Sequence, residues 1–357
     1  MTIQNAATAP MSMLLLTEAV DRLTAQNASL QGQLTSGVVS DSYAGLGDQR
    51  IVALSLQPQI TKVVAWQGNI TSAQNTLSVT QTVMSRIATI TSNLQTSLIG
   101  LQGNTTAINV SLAASQARQS LTELASLLNT QNGSQYVFGG NASDTAPVPD
   151  PSSVTSSSFF QTIAASVAGV ATNGAAATET ASVAAASDNS PGQSVFSSAL
   201  SVDTTTAAAT GHSVTVGDQQ HVTVGFVATQ GGAASATSTG SSIRDLMRGL
   251  AVVGSLDQAN ASSSGFSTLV ADTASQMQAV SSSLNLTVAS LGQTQAQMAS
   301  QGNSLGQLGD ALTKQLGLVK DSDPAALSVQ LTMTQNQLQA SYSLIADMKG
   351  MSLAAYL

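Results

Sequence analysis

The sequence predicts a mainly α fold: long N- and C-terminal helices forming coiled-coil and helical-bundle layers, with a β-rich insert between them. Three observations carry this expectation. Apolar residues recur at alternating three- and four-residue intervals near both ends, the spacing of a helical seam. A seven-residue apolar repeat runs unbroken from Val270 to Leu312. Between residues 141 and 240 the helical period is lost.

In the first segment Met13, Leu16, Val20, Leu23, Asn27, Leu30 and Leu34 fall on one side of a helix. Asn27 is the polar member. A lone core Asn can fix coiled-coil register at some cost in stability; a helix end facing solvent is the other reading. Gly37 stops the helix, and Gly45 and Gly47 mark a loop. A second helix is predicted over residues 48–100. Leu56, Ile60, Val63, Ile70, Leu77 and Met84 share one face, which Ile87, Leu94, Leu98 and Leu101 continue after a phase shift. A third is predicted over residues 106–130, with Ala117, Leu121, Leu124 and Leu128 inward, ending before the turn-forming Asn132-Gly133.

The centre is rich in Ser, Thr, Ala and Gly, with Pro147, Pro149, Pro151 and Pro191. Val214 and Val216, then Val222, Val224 and Phe226, alternate with small polar residues around Gly217-Asp218, the pattern of a β-hairpin. The whole region is therefore expected to be a small β-rich domain with loose connections.

Helical pattern resumes with Ile243, Leu246, Leu250 and Val253. Val270, Met277, Leu284, Leu291, Met298, Leu305 and Leu312 then predict a helix over residues 267–317, about 75 Å long at 1.5 Å per residue. Gly292, Gly302, Gly306 and Gly309 weaken it; close helix approach and local fraying are both open readings of them. The last helix starts where Asp323 can cap it and Pro324 takes the first helical position. Leu327, Leu331, Thr334, Leu338, Ser341, Ile345 and Met348 form its seam. The two terminal seams are similar in length and each needs a partner, so the chain ends are expected to meet.

Composition excludes several function classes. Charged residues are 8% and the net charge is −8, with only 10 Lys and Arg; no basic patch is available to neutralise phosphates. Cysteine is absent, which removes disulfide and thiolate chemistry. Met11 to Leu16 lack a basic flank and a long apolar core, so no cleaved signal peptide is expected. No apolar run reaches the ~18 residues of a membrane span. His212 and His221 flank the predicted hairpin turn and could face each other, but only Asp218 lies near to complete a metal site. Carboxylates are scattered, no Gly-x-Ser-x-Gly elbow follows a strand, and no phosphate-cradling glycine pattern occurs. Arg86, Arg118, Arg244, Arg248, Lys314 and Lys320 read as solvated or ion-paired helix residues. Asn69-Ile70-Thr71 and Asn285-Leu286-Thr287 have the glycan-acceptor pattern but fall inside predicted helices. No catalytic residue, metal ligand or cofactor is expected, and the chain reads as a structural protein rather than an enzyme.

Three segments carry a family resemblance. The first is Leu34-Thr35-Ser36-Gly37, Ser42-Tyr43-Ala44-Gly45-Leu46-Gly47 and Ala53-Leu54-Ser55-Leu56. The second is Tyr136-Val137-Phe138-Gly139-Gly140 followed by Asp144-Thr145-Ala146-Pro147-Val148. The third is Leu338-Gln339-Ala340-Ser341-Tyr342 with Ser352-Leu353-Ala354-Ala355-Tyr356-Leu357. In this order they resemble the bacterial flagellin superfamily over residues 10–140 and 241–357, and within it most resemble the hook-associated protein 3 family. Val38 and Val39 depart from the family's basic residues after Ser-Gly, and the arginine-bearing segment of many filament subunits is not evident over residues 87–101.

The resemblance implies a subunit that joins hook to filament by helical self-assembly. It implies terminal assembly helices at 1–45 and 323–357, bundle halves at 46–140 and 241–322, and a variable outer domain at 141–240. The assembly seam would be Leu16, Val20, Leu23, Asn27, Leu30, Leu34, Leu327, Leu331, Leu338, Ile345 and Met348. The hinge to the outer domain would be Tyr136, Phe138, Gly139 and Gly140. Implied partners are further copies of the chain, adjacent hook-associated and flagellin subunits, the flagellar export apparatus and an export chaperone, with no nucleic acid and no membrane insertion. The implied location is extracellular, in the flagellum. A major filament subunit and a non-flagellar coiled-coil adhesin are the alternatives.

Overall fold

The computed structural model describes the backbone of residues 8–354 and the side chains of residues 14–348. Helices dominate. In chain order they and the short strands are α1 (Thr8–Ser36), α2 (Arg50–Gly103), α3 (Ala107–Leu128), β1 (Gln131–Asn132), β2 (Gln135–Tyr136), α4 (Ser158–Ala168), α5 (Val170–Asn173) and α6 (Ala175–Ser187). Then follow α7 (Thr204–Ala209), β3 (Ser213–Gly217), β4 (Gln220–Thr223), α8 (Ser242–Gly254), α9 (Ser264–Lys320) and α10 (Pro324–Ala354). Short 3-10 turns cover Tyr43–Gln49, Pro151–Ser156 and Gln258–Asn260.

The chain divides into two compact units: the residues up to Val64 together with those from Gly306 onward, and Ala65–Leu305. In the first unit α1 packs along α10. Gly37, at φ 71°, closes α1 by donating its N–H to the Gln33 carbonyl at 2.9 Å, a left-handed stop that glycine adopts without strain. The start of α10 is as its sequence predicts: the Asp323 carboxylate accepts from the N–H groups of Ala325 and Ala326 at 2.9 and 3.3 Å, with Pro324 first in the helix.

In the second unit α2 and α9 run antiparallel. Ile70 lies beside Gly302, Gln81 beside Gly292, and Gln95 reaches Gln278. A Cβ added at Gly292 or Gly302 would make ordinary 3.5 Å contact, so packing does not require glycine there. Of the predicted inward residues of α2, Ile70, Leu77, Met84, Ile87, Leu94, Leu98 and Leu101 are buried in this unit, as are Val270, Met277, Leu284, Leu291, Met298 and Leu305 of α9; in the first unit Leu56 and Val63 are buried and Ile60 is half-buried. Helix α8 is the centre of this core. Every residue from Ile243 to Gly254 is buried, and the helix packs on α3, α4 and α6. At Gly249 an added Cβ would sit 2.7 Å from the end of the Met277 side chain, so an alanine there would require Met277 to shift.

The β-rich insert is not what the centre forms. Residues 141–240 hold α4, α5, α6 and α7, and β structure is confined there to the hairpin β3–β4. The hairpin pairs Ser213 with Thr223, Val214 with Val222 and Thr215 with His221. Its tip is Asp218-Gln219, with Gln219 at φ 58°, one residue beyond the predicted turn. The helices were hidden by composition. In Ala175–Ser187 the inward residues are Ala175, Thr178, Ser182, Val183 and Ala186. Such small side chains give little hydrophobic contrast between faces, while alanine itself favours helix. In α4 the buried Phe159, Phe160, Ile163 and Val167 do keep helical spacing, over only 11 residues.

Candidate assembly interface

The predicted seam residues occupy the α1–α10 pair. On α10 the described side chains that are not exposed are Leu327, Leu331, Thr334, Leu338, Ser341, Ile345 and Met348. On α1 Val20 and Leu30 are buried; Leu16, Leu23 and Asn27 are half-buried, and Leu34 is exposed at 39%. Met13 and the closing Ser352 to Leu357 lie outside the described side chains. Asn27 Oδ1 accepts from Gln31 Nε2 at 2.7 Å. Its amide nitrogen is shielded from solvent and has no hydrogen-bond partner among the described residues.

Much apolar surface in this unit stays uncovered. Leu14, Leu15, Ile51, Leu54, Leu318, Val329, Met333, Tyr342 and Leu344 are all exposed. In Ala65–Leu305, more than twice as long, the exposed large apolar side chains are Ile99, Ile108, Leu112 and Leu286. Where such side chains adjoin, they offer apolar surface on which another protein can pack. Sequence reading did not foresee what fixes the base of the pair. Val38 and Asp321 form an isolated antiparallel bridge, with Val39 N–H donating to Lys320 O at 2.8 Å and Ser322 N–H to Gly37 O at 3.0 Å. The two valines that depart from the family pattern thus act through their backbone.

The predicted hinge residues lie together. Tyr136 sits in β2, opposite Gln131. Phe138 is fully buried and meets Phe226 edge-on, with ring centroids 6.4 Å apart. Its carbonyl accepts from Ala228 N–H at 3.0 Å. Gly140 turns at φ 59°, where a Cβ would stand 2.7 Å from the Thr210 carbonyl. That carbonyl is held in place by the N–H of Asn141. Gly140→Ala is therefore expected to lower the stability of this unit by about 2–3 kcal/mol, combining left-handed strain with the clash. Thermal unfolding followed by circular dichroism measures it.

Two arginines expected to be solvated or ion-paired lie deep in the core, Arg248 there in an ion pair with Asp245. Arg244 and Arg248 are each 2% exposed. Arg244 donates to Ala186 O, Asn189 Oδ1, Leu200 O and Val202 O, and lies 5.5 Å from the Phe196 ring centre. Arg248 donates to Ser182 Oγ (3.3 Å), Thr237 O (3.0 Å) and Gln276 Oε1 (2.7 Å). Its Nε is 3.7 Å from Asp245 Oδ1, an ion pair too long for a hydrogen bond. Asp245 in turn accepts from Ser238 Oγ and Thr239 N–H. Both arginines thus tie residues of the central segment to α8. Their chemical signature in sequence, two arginines four apart with Asp245 between them, is also that of an exposed helix stripe. Only the neighbours supplied by the central segment decide between the two.

Glu179 of α6 accepts from Gln276 Nε2 and faces Arg248 and Asp272. Burial raises its pKa above the ordinary 4.5; the Arg248 charge opposes this and the Asp272 charge adds to it. A carboxyl whose folded pKa is raised stabilises the fold fully below its unfolded value, and that contribution is lost as pH rises through the folded pKa. The wild-type melting temperature is therefore expected to rise as pH falls from 7 towards 4.5, and E179Q is expected to flatten this rise. Asp150 and Asp188 act in the opposite sense. Hydrogen bonds from Ser152 and Ser190, respectively, hold their pKa values below 3.8, so their contribution is lost only at lower pH.

His212 and His221 do not face each other. His221 pairs with Thr215, whose hydroxyl is 3.1 Å from Nδ1, while His212 lines a cavity of about 70 Å³ with Tyr136, Val214 and Phe226. No group of three metal-ligating side chains occurs among the described residues. No described helix is long and apolar enough to cross a membrane.

Comparison with known proteins bears on the C-terminal part. No curated protein sequence matches the chain significantly. Residues 272–357 match the sequence model of the bacterial flagellin C-terminal helical region. That stretch takes in most of α9 and all of α10, so the C-terminal helical region of this chain is flagellin-like, which supports the bacterial flagellin superfamily.

Proposed function

We propose that the chain is a structural, non-catalytic subunit of the bacterial flagellum, exported and assembled outside the cell, and that it joins hook to filament. The observation that carries the reading is the α1–α10 pair: a flagellin-like C-terminal helix packed on the N-terminal helix, in a unit that leaves many large apolar side chains uncovered. In this reading residues 1–45 and 323–357 are the assembly helices, 46–140 and 241–322 the bundle layer, and 141–240 the outer part. Burying the exposed apolar surface against further copies, at ~25 cal/mol per Å², offsets the entropy of ordering the ends. Partners are further copies, neighbouring hook-associated and flagellin subunits, the export apparatus and a chaperone.

The hinge string Tyr136 to Gly140 favours the junction role. The match to a flagellin C-terminal region fits both the junction role and the second reading, a major filament subunit. Purified protein seeded with filament fragments under salting-out conditions separates them by electron microscopy. Capping of hook ends by a short ring supports the junction role. Long filaments of this chain alone would make it the filament subunit, and no assembly on either template would overturn both.

A further inference from the structure

We infer that the α1–α10 pair closes from a fixed clamp at its base, built by Gly37–Val39 and Lys320–Ser322, and that this clamp sets the point from which the two helices zip. The use of the clamp in assembly rests on the function proposed above; the clamp itself is a property of the single chain.

The clamp is made almost wholly of backbone. Two reciprocal hydrogen bonds flank the Val38–Asp321 bridge, and Ser322 Oγ adds a third bond, to Gln33 O at 3.2 Å. Asp321 N–H is held by Gly317 O at 2.7 Å, and Gly37 is fixed by its bond to Gln33. One side of the clamp thus continues into the last turn of α1, and the other joins the end of α9 to the start of α10.

Its consequence is entropic. The two helices are far apart in sequence; packing of α2 on α9 at Ile70 and Gly302 already closes most of that loop, and what remains for the clamp is the cost of closing the shorter segments from there. Once the clamp is made, Leu30 and Leu327 are each only a few residues from it, and each further seam layer closes a short loop. Isolated helices of this length are marginal in water, so the seam must form progressively. Burial along the pair is not graded: Leu30 and Leu327, near the clamp, are buried, but so is Val20 further along α1, while Leu34 beside the clamp is exposed. Loop closure alone sets the order of zipping and makes the far ends the first to open.

Hydrogen exchange on the full-length monomer tests this. Protection is expected to be greatest next to the clamp and to fall towards Leu16 and Met348. Val39→Pro, which removes the donor to Lys320 O, is expected to give about five- to tenfold faster exchange along both helices, the scale of one lost backbone hydrogen bond, with Ala65–Leu305 unchanged. The chain has no cysteine, so V38C/D321C yields one defined disulfide. A non-hydrogen-bonded antiparallel pair brings Cα atoms to about 4.5 Å, within disulfide reach. The oxidised form is expected to slow exchange in both helices and to speed seeded addition; reduction reverses both. Wild-type exchange rates in V39P, or unchanged exchange after oxidation, would overturn the clamp. Slowed exchange without any seeded addition would instead count against the assembly role.

Discussion

Arg248→Ala is expected to lower the unfolding free energy of the Ala65–Leu305 unit by about 3–5 kcal/mol, the usual result of removing one partner of a buried ion pair. The substitution leaves Asp245 buried without its counter-charge, and it deprives Ser182, Thr237 and Gln276 of their donor. Each acceptor left without a partner adds its own desolvation penalty. Against a total stability of ~5–15 kcal/mol for a domain, this is enough to populate unfolded chains. Urea unfolding monitored by circular dichroism measures the loss as a lower midpoint. Adding D245N to R248A is expected to recover part of it, since the orphaned charge is then gone. An R248A midpoint equal to wild type would mean that Arg248 does not hold the central segment.

The second large effect falls on assembly. Leu338→Asp is expected to abolish seeded elongation while leaving the melting of Ala65–Leu305 unchanged. Leu338 is half-buried in the middle of the α10 seam. A carboxylate there is half-buried in the seam, costing about 2–3 kcal/mol in a helix pair that depends on packing for its order. Leu23→Asp on α1 is expected to do the same from the other side. Gln335→Asp adds the same charge on the exposed face of α10 and is expected to elongate normally. Light scattering and electron microscopy read the outcome; elongation by L338D at the wild-type rate would refute the seam as the assembly element.

The arginine and leucine effects differ in how far sequence alone could foresee them. The seam on α10 is written in residues spaced three and four apart, and a helix has few other ways to place them. Arg248 has no such signal, because its partners Ser182, 66 residues away, and Thr237 lie in a region whose period is too weak to read. The same weakness led the centre to be expected as β-rich. Alanine, serine and threonine differ too little in hydrophobicity to mark an inner face, so α6 left no trace, while the valine alternation of β3 and β4 did. The hinge string was legible as a motif. The reason for its glycine at position 140, a carbonyl of Thr210 pressed against the turn, was not.

What the sequence by itself determined is local and periodic: the long helices, the apolar spacing along α1 and α10, the Asp323 cap, the Gly37 stop and the β3–β4 hairpin. Each follows from side-chain spacing or from the backbone preference of one residue, and so needs no knowledge of distant neighbours. Only the tertiary structure decided the rest. It turned two arginines inward to hold the central segment, it drew the residues on either side of Val38 and Asp321 into a clamp, and it folded the centre as helices. These outcomes depend on hydrogen-bond partners tens to hundreds of residues away, and no local pattern encodes which groups will meet.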